Sequence, residues 1–164
     1  MQADERKHEI VVSREKSGLG HPNAAALIKK AACRALEAEG ITEPCLISVL
    51  LTDVEGIRAV NRDFRGVDRE TDVLSFPLNE LEPGMFRAED CERDPETGEL
   101  MLGDMLLSLP ACEKQGQELG HGFNREVQYL TVHSVLHLLG YDHLDEGEQK
   151  RRMREREKAI MGDV

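Results

Sequence analysis

The chain has 164 residues, which is long enough for one domain with a substantial core and too short for two to be expected. Its composition, 40% hydrophobic and 32% charged residues, is that of an ordinary soluble globular protein. No apolar run approaches the roughly 20 residues that a membrane span needs, and the first residues lack a hydrophobic signal core. We therefore expect a cytoplasmic protein without a membrane partner.

The net charge of −11 argues against an anionic partner such as nucleic acid, but this charge is unevenly distributed. The segment from Glu80 to Glu99 contains eight acidic residues and two arginines, so it carries more than half of the excess negative charge. The four cysteines are widely spaced and form no C-x-x-C pair. Neither a disulfide framework nor a zinc ribbon is indicated.

The first half of the chain alternates strand and helix patterns. Residues 8–12 have the pattern of a short strand, and the Ala, Leu and Ile spacing from Pro22 to Glu39 predicts a helix. The β-branched run at residues 45–52 is typical of a strand buried in a sheet. Asp53 then caps a predicted helix over residues 55–63.

The next stretch, residues 64–77, reads F-R-G-V-D-R-E-T-D-V-L-S-F-P. Its glycine suggests a turn, and T-D-V-L-S-F ending at Pro77 predicts a strand. Three arginines, Arg62, Arg65 and Arg69, lie within eight residues of one another here. Taken alone, such arginines are more often surface ion pairs than a site.

The second half begins with a segment rich in turn-forming residues, from Asn79 to Glu99, which we interpret as a long surface loop. Residues 100–108 predict a strand, in which Gly103 suggests a bulge or a close backbone approach. A helix over 111–119 follows. Asn124 is a suitable N-cap for a second helix over 124–139. The tail from Glu146 to Met161 predicts a charged helix, which we interpret as solvated rather than RNA-binding.

Residues 133–143, H-S-V-L-H-L-L-G-Y-D-H, hold three of the six histidines. On a helix, His133 and His137 project from one face, one turn apart. Gly140 stands where a helix ends in a left-handed residue, which allows the chain to return His143 to the same place. Three imidazoles and one open position form the ligand set of catalytic zinc, so we predict one Zn²⁺ bound by these histidines.

The spacing H-x-x-x-H-x-x-G-x-x-H is also that of the metzincin peptidases, in which a glutamate after the first histidine acts as general base. Ser134 occupies that position, and a hydroxyl cannot replace a carboxylate base, so peptide hydrolysis is disfavoured. A Lewis-acidic ion with an exchangeable water suits phosphodiester chemistry if a cation lies opposite it, and Arg65 is the candidate. No general base can be assigned. The residues considered are Asp104, Asp142 and His121.

Three stretches resemble the YbeY endoribonucleases of bacteria: residues 133–143, residues 64–77 and L-G-D-M-L-L-S at 102–108. Their order and rough spacing fit, and the resemblance covers most of the chain. It implies one α+β domain over residues 1–164, with a small mixed sheet of about four strands, about five helices and a metzincin-like metal helix. The acidic segment at about 79–99 looks like an inserted loop.

The resemblance implies a zinc-dependent endoribonuclease that prefers single strands and acts in 16S ribosomal RNA 3′-end maturation and ribosome quality control. By motif position, His133, His137 and His143 are metal ligands and Arg65 is the functionally important arginine. The candidates for substrate binding are Arg62, Arg69 and Ser134. The implied partners are ribosomal RNA and the small ribosomal subunit, with a ribosome-assembly GTPase and ribosomal proteins as further candidates.

Two other functions remain open from the sequence alone. The first is a zinc-stabilised ribosome-assembly factor that binds RNA or a GTPase without cutting, and the acidic net charge favours it somewhat. The second is a metallopeptidase, which Ser134 disfavours. Loss of function after Arg65→Ala supports the nuclease over the binding factor, and chelator-sensitive casein hydrolysis supports the peptidase.

Overall fold

The computed structural model describes residues 7–142 and 147–162. Two parallel strands and their helices come first: β1 (Glu9–Arg14), α1 (Ala24–Ala38), β2 (Cys45–Thr52) and α2 (Val54–Arg65). The chain continues through β3 (Val73–Pro77), a 3-10 turn (Ala88–Asp90), β4 (Glu92–Arg93) and β5 (Leu100–Ser108). Three helices complete it: α3 (Leu109–Glu118), α4 (Gly122–Leu138) and α5 (Glu148–Met161). No helix in these ranges is long and apolar enough to cross a membrane.

The strands form one mixed sheet in the order β1-β2-β5-β3. β1, β2 and β5 run parallel, whereas β3 and the short β4 both pair antiparallel with β5. The predicted α+β fold is therefore confirmed, with β4 as a strand that the sequence did not indicate. The expected irregularity at Gly103 is also present, because the β2–β5 register shifts there and a Cβ at Gly103 would collide with the Phe76 carbonyl.

The two faces of the sheet are packed differently. The main core combines one face of the sheet with buried side chains of α1, α3, α4 and α5. A second, small cluster of Ile57, Leu74 and Leu106 lies under α2. This follows from strand geometry, because successive residues of β5 point to opposite faces. As a result, α2 approaches the β3 edge from one side while α4 packs against β3 from the other.

Local signals in the sequence set most of the helix ends. The Asp53 side chain accepts a 2.9 Å hydrogen bond from the Gly56 amide, as expected of a cap, and Gly66 ends α2 in a left-handed conformation with φ of 71°. The prediction that Asn124 caps the helix that carries His133 and His137 is wrong. α4 begins at Gly122 with His121 at its N-cap, and the chain lies so close to α3 at this point that a Cβ on Gly116 would collide with the Gly122 backbone.

The acidic segment that follows Asn79 contains more structure than a plain loop. Besides the 3-10 turn, its residues Glu92 and Arg93 pair with β5. The Asn79 side chain links the two ends of this segment, since its amide donates to the Met101 carbonyl at 2.9 Å and its oxygen accepts from the Glu92 amide at 2.9 Å. A side chain thus replaces backbone pairing beside β5.

Candidate active site

The first part of the site is the last full turn of α4. His133 and His137 project from one face of this helix, and their Nε2 atoms lie 3.2 Å apart. The ring centroids are 4.7 Å apart and the ring planes are nearly perpendicular, at 81°. The two histidines therefore direct one nitrogen each towards a common point, as their spacing of four residues predicts.

The chain reverses immediately after this turn. Gly140 has a φ of 102°, and a Cβ there would collide with the carbonyl of Leu81. The next residue, Tyr141, is buried, and its hydroxyl donates a 2.7 Å hydrogen bond to Glu39 at the end of α1. Burial is the main cause, and this hydrogen bond to Glu39 the second, of a rise in the pKa of Tyr141 to about 12. The phenol therefore stays protonated and remains a donor. The return is thus fixed as far as Asp142, and the predicted third ligand, His143, lies outside the described residues.

The third part of the site is Arg65, the last residue of α2. Gly66 ends the helix directly after it, so the exposed guanidinium stands at the helix end. Within the described ranges Arg65 has no ion-pair partner, whereas Arg58 pairs with Asp68 at 2.9 Å and Arg62 with Asp63 at 3.2 Å. Arg65 is therefore the arginine of α2 whose charge is not already matched by a carboxylate.

One cavity of about 740 Å³ joins these parts. It is lined by Arg65 from α2, by His133 and His137 from α4, by the Gly140–Asp142 return, and by residues of β3 and of the segment after it. Residues far apart in the sequence thus meet in one concave site. Concave sites with a few convergent polar groups are where proteins bind small molecules and reacting groups.

The three predicted substrate-binding residues lie in different places, and none of them lines the cavity. Arg62 and Arg69 are exposed but do not line this cavity. Ser134 is completely buried, and its hydroxyl lies 2.6 Å from that of Ser75, which does line the cavity. Ser134 thus joins α4 to β3 behind the cavity wall.

The three base candidates are also separated. Only Asp142 of the three lines the cavity. Asp104 lies in a groove on the face of the sheet that α2 packs against, together with Phe64 and Phe76. His121 contacts the buried carboxylate of Glu126 at 2.6 Å. Asp104 and His121 are therefore excluded from direct contact with a group bound at the histidine pair.

The donor set fits a zinc ion. Tetrahedral zinc with nitrogen ligands at about 2.0–2.1 Å holds two of those nitrogens roughly 3.3 Å apart. The Nε2–Nε2 separation of 3.2 Å matches this value. Residues 7–142 and 147–162 contain no group of three His, Cys, Asp or Glu residues that could hold a metal, so this pair would need a further ligand from outside these ranges. The three-histidine site with one Zn²⁺ stays a prediction whose third ligand is His143.

A family model described as Endoribonuclease YbeY matches residues 9–164 of this chain. The chain belongs to the YbeY endoribonuclease family. Proteins named Endoribonuclease YbeY are 49% identical over 133 residues in Clostridium kluyveri (strain NBRC 12016) and 41% identical over 152 residues in Thermoanaerobacter sp. (strain X514). The first alignment covers 77% of this chain and 80% of that relative, and the second covers 93% and 94%.

A solution structure of a Thermotoga maritima protein has the same fold, with a TM-score of 0.56 over 94% of this chain and 90% of that one. Its sequence identity is 24%, so this likeness concerns the fold alone. The YbeY resemblance seen in the three motifs is thus confirmed as family membership, and the α+β fold as the fold of this chain.

The sequence did not identify Glu157 as part of this YbeY site. This α5 residue is 6% exposed, and its Oε2 lies 2.5 Å from Nδ1 of His133. The interpretation of α5 as a solvated helix is therefore wrong for this face of it. The spacing of Met153, Ile160 and Met161, which are all buried, was the available signal, since Glu157 lies on the same helix face.

Proposed function

We propose that this protein is a zinc-dependent endoribonuclease that cuts unpaired RNA. The observation that carries the proposal is the shared cavity, in which the histidine pair and the guanidinium of Arg65, which has no ion-pair partner among residues 7–142 and 147–162, line the same space. A cation beside the metal stabilises the negative charge that accumulates on the phosphoryl oxygens in the transition state of phosphodiester cleavage. This combination favours phosphoryl over peptide chemistry.

The residues of the chain have separate tasks in this reaction. His133 and His137, together with His143, would hold the zinc ion, which supplies a Lewis acid that polarises a phosphoryl oxygen and lowers the pKa of a bound water. Arg65 binds two oxygens of the scissile phosphate through its planar fork and so orients the phosphorus. The P–O bond that breaks is the one opposite the attacking oxygen, which belongs to water or to the adjacent ribose hydroxyl.

The shape of the site supports the proposed preference for unpaired RNA. The histidines and Arg65 line a cavity and not a flat or convex surface, so the scissile phosphate must enter between β3 and the α4 return. A flexible single strand can bend its backbone into such a space. A double helix keeps its phosphates on a rigid outer surface, and RNA recognition by proteins commonly favours unpaired segments for this reason.

In the cell, we propose that the substrate is the 3′ end of 16S ribosomal RNA and that the enzyme serves ribosome maturation and quality control in the cytoplasm. The relatives' name, Endoribonuclease YbeY, supports the ribonuclease activity. The small ribosomal subunit is the proposed partner, and a ribosome-assembly GTPase and ribosomal proteins are further proposed partners. Precursor 16S RNA in a depleted strain should be processed again after expression of the wild-type protein but not of Arg65→Ala.

The direct test compares cleavage of one RNA oligonucleotide, unpaired or annealed to its complement, by zinc-loaded protein. Arg65→Ala should lower kcat/KM on the unpaired RNA by about 10²- to 10³-fold, as removal of a transition-state donor does elsewhere. Arg65→Lys should recover part of this loss, because it keeps the charge but not the fork. Arg58→Ala is the matched control, since it removes an exposed arginine of the same helix that does not line the cavity.

Equal activity of Arg65→Ala and wild type contradicts the assigned role of Arg65. Faster cleavage of the annealed RNA contradicts the single-strand preference. Tight binding of unpaired RNA without any cleavage by zinc-loaded wild type favours the assembly factor over the nuclease.

A further inference from the structure

Helix α5 contains a carboxylate in an unusual environment. Most of its charged side chains are exposed, but Glu157 is 6% exposed and lies among Met153, Ile160 and Met161 on the buried face. Removing a carboxylate from water costs several kcal/mol unless its oxygens are hydrogen-bonded. A buried glutamate in an otherwise well-hydrated helix therefore needs specific partners.

Both oxygens of this carboxylate have a partner on α4. Oε1 accepts a 2.9 Å hydrogen bond from the Tyr129 hydroxyl, and Oε2 lies 2.5 Å from Nδ1 of His133. Tyr129 and His133 are one helical turn apart, so one carboxylate spans two successive turns of α4. Burial, and next the nearby Glu157 charge, raise the pKa of Tyr129, which keeps the phenol protonated as a donor.

The contact with His133 determines which of its nitrogens carries the proton. A carboxylate only accepts hydrogen bonds, so Nδ1 of His133 is the protonated donor. In a neutral imidazole, Nε2 then keeps its lone pair. That Nε2 is the atom that faces Nε2 of His137 at 3.2 Å. The lone pair is thus directed to the point where the two histidines converge.

We infer that Glu157 is a positioning residue that holds His133 in the Nδ1–H tautomer and in the orientation required for metal binding, with Tyr129 fixing the carboxylate in turn. This inference rests on the proposed zinc-dependent function, but Glu157 touches neither the substrate nor the metal. It acts from the far side of the ring. Carboxylates that hold a ligating histidine in this way typically change metal affinity by about 10- to 100-fold when they are removed.

A purely structural role for Glu157 leads to a different expectation. If the carboxylate only joined α5 to α4, its loss would lower the stability of the fold and leave the zinc affinity of the folded protein unchanged. The tautomer of His133 would also be unaffected. Zinc affinity and tautomer therefore separate the two roles, and both can be measured without RNA.

The test uses the full chain, metal-free, as wild type and as Glu157→Ala, Glu157→Gln and Tyr129→Phe. Glu155→Gln is the matched control, because it removes an exposed carboxylate from the same helix. Zinc affinity is measured by competition with a chromophoric chelator, and the protonation of the His133 nitrogens by long-range ¹H–¹⁵N NMR spectra. Glu157→Ala should bind zinc about 10- to 100-fold more weakly and lose the Nδ1–H tautomer of His133.

Glu157→Gln keeps the size of the side chain and an oxygen that can accept, so it should remain folded and lose less affinity than the alanine variant. Tyr129→Phe should give a smaller loss, because it removes one support of the carboxylate. Glu155→Gln should match wild type.

Unchanged zinc affinity and an unchanged His133 tautomer in folded Glu157→Ala overturn the inference. If the alanine variant does not fold, zinc affinity of Glu157→Gln equal to that of wild type overturns it. So does an Nε2–H tautomer of His133 in the metal-free wild type. Wild-type protein that binds no zinc overturns both this inference and the proposed function. Zinc-loaded wild type that cuts no RNA, with the Glu157 effects intact, overturns only the proposed function.

Discussion

Ser134 stands at the position where the motif of this chain differs from that of the metzincins. In the metzincin spacing, the position after the first histidine carries the general base. Here the side chain does not line the cavity, is completely buried, and contacts the Ser75 hydroxyl at 2.6 Å. The position therefore serves the packing of α4 on β3, and a longer charged side chain would have to displace the strand.

Replacement of Ser134 by alanine should lower the free energy of unfolding by about 0.5–1.5 kcal/mol, the net value of one hydrogen bond. Zinc affinity should stay within two-fold of wild type, because the hydroxyl contacts Ser75 and not a histidine. Urea denaturation and chelator competition measure the two quantities. Ser17→Ala, at an exposed serine, is the control for the substitution itself. A marked loss of zinc affinity with unchanged stability would assign Ser134 to the site instead of the packing.

Single residues differed in how far the sequence revealed them. The convergence of His133 and His137 follows from helix periodicity alone, so it could be predicted. The position of Arg65 in the same cavity depends on how α2 and α4 both reach β3, and no local spacing encodes that. Glu157 could not be recognised in the sequence because most residues of α5 are charged, and the apolar spacing on its buried face is therefore inconspicuous.

At the scale of elements, the return after α4 depends on one backbone conformation. Gly140 combines a φ of 102° with a position against the carbonyl of Leu81, where no Cβ fits. The turn thereby brings Tyr141 and Asp142 back towards α4 and forms part of the cavity wall. The predicted left-handed residue has a packing role as well as a conformational one.

Gly140→Ala should therefore destabilise the protein more than an alanine at another positive-φ glycine does. Gly120, at φ 76°, is the matched control, because a Cβ added there would meet only open space. Gly120→Ala should cost about 1–2 kcal/mol, the cost of a left-handed alanine, and Gly140→Ala at least twice that, because of the added collision. Urea denaturation of both variants gives the comparison. Equal costs would mean that the close approach of Leu81 is easily relieved.

Helices and strands that have a clear apolar pattern in the sequence were predicted close to their observed bounds. Those that depend on contacts with distant residues were missed or misplaced. β2 and β5 begin and end as predicted, because each is a mainly apolar run with a proline close to one end, Pro44 before β2 and Pro110 after β5. β4 has two exposed residues and no periodicity, and it depends on Asn79 and on pairing with β5. The predicted start of α4 was wrong, since the helix begins earlier, at Gly122, where the chain packs closely against Gly116 of α3, and such a tertiary contact cannot be read from local sequence.

At the scale of the whole molecule, the sheet is the frame that brings distant residues together. β3 runs antiparallel along β5, which allows the end of α2 on one side and the end of α4 on the other to reach the same cavity. The motifs identified the family and the fold class from the sequence. They did not give the arrangement of the strands, which follows from long-range pairing.

The charged residues are also unevenly distributed over the molecule. The acidic residues from Glu80 to Glu99 raise the net negative charge, while Arg65 stands in the cavity with its charge unmatched within the described ranges. An acidic protein can therefore still present a local cation to a phosphate. The net charge therefore does not decide the class of partner, because phosphate binding at one site depends on the residues that line it.

The central claim is that zinc at the histidine pair is required for RNA cleavage, and a zinc titration tests it most directly. Metal-free protein is supplied with increasing zinc, and cleavage of an unpaired RNA is measured at each step for wild type, His137→Ala and a control, His21→Asn. His21 lies outside the cavity at φ 53°, a conformation that asparagine tolerates.

Wild type and His21→Asn should gain activity in proportion to added zinc until each chain holds one ion, and His137→Ala should gain none. Cleavage by metal-free wild type at the rate of the zinc-loaded protein, or full zinc-dependent activity of His137→Ala, would contradict the claim.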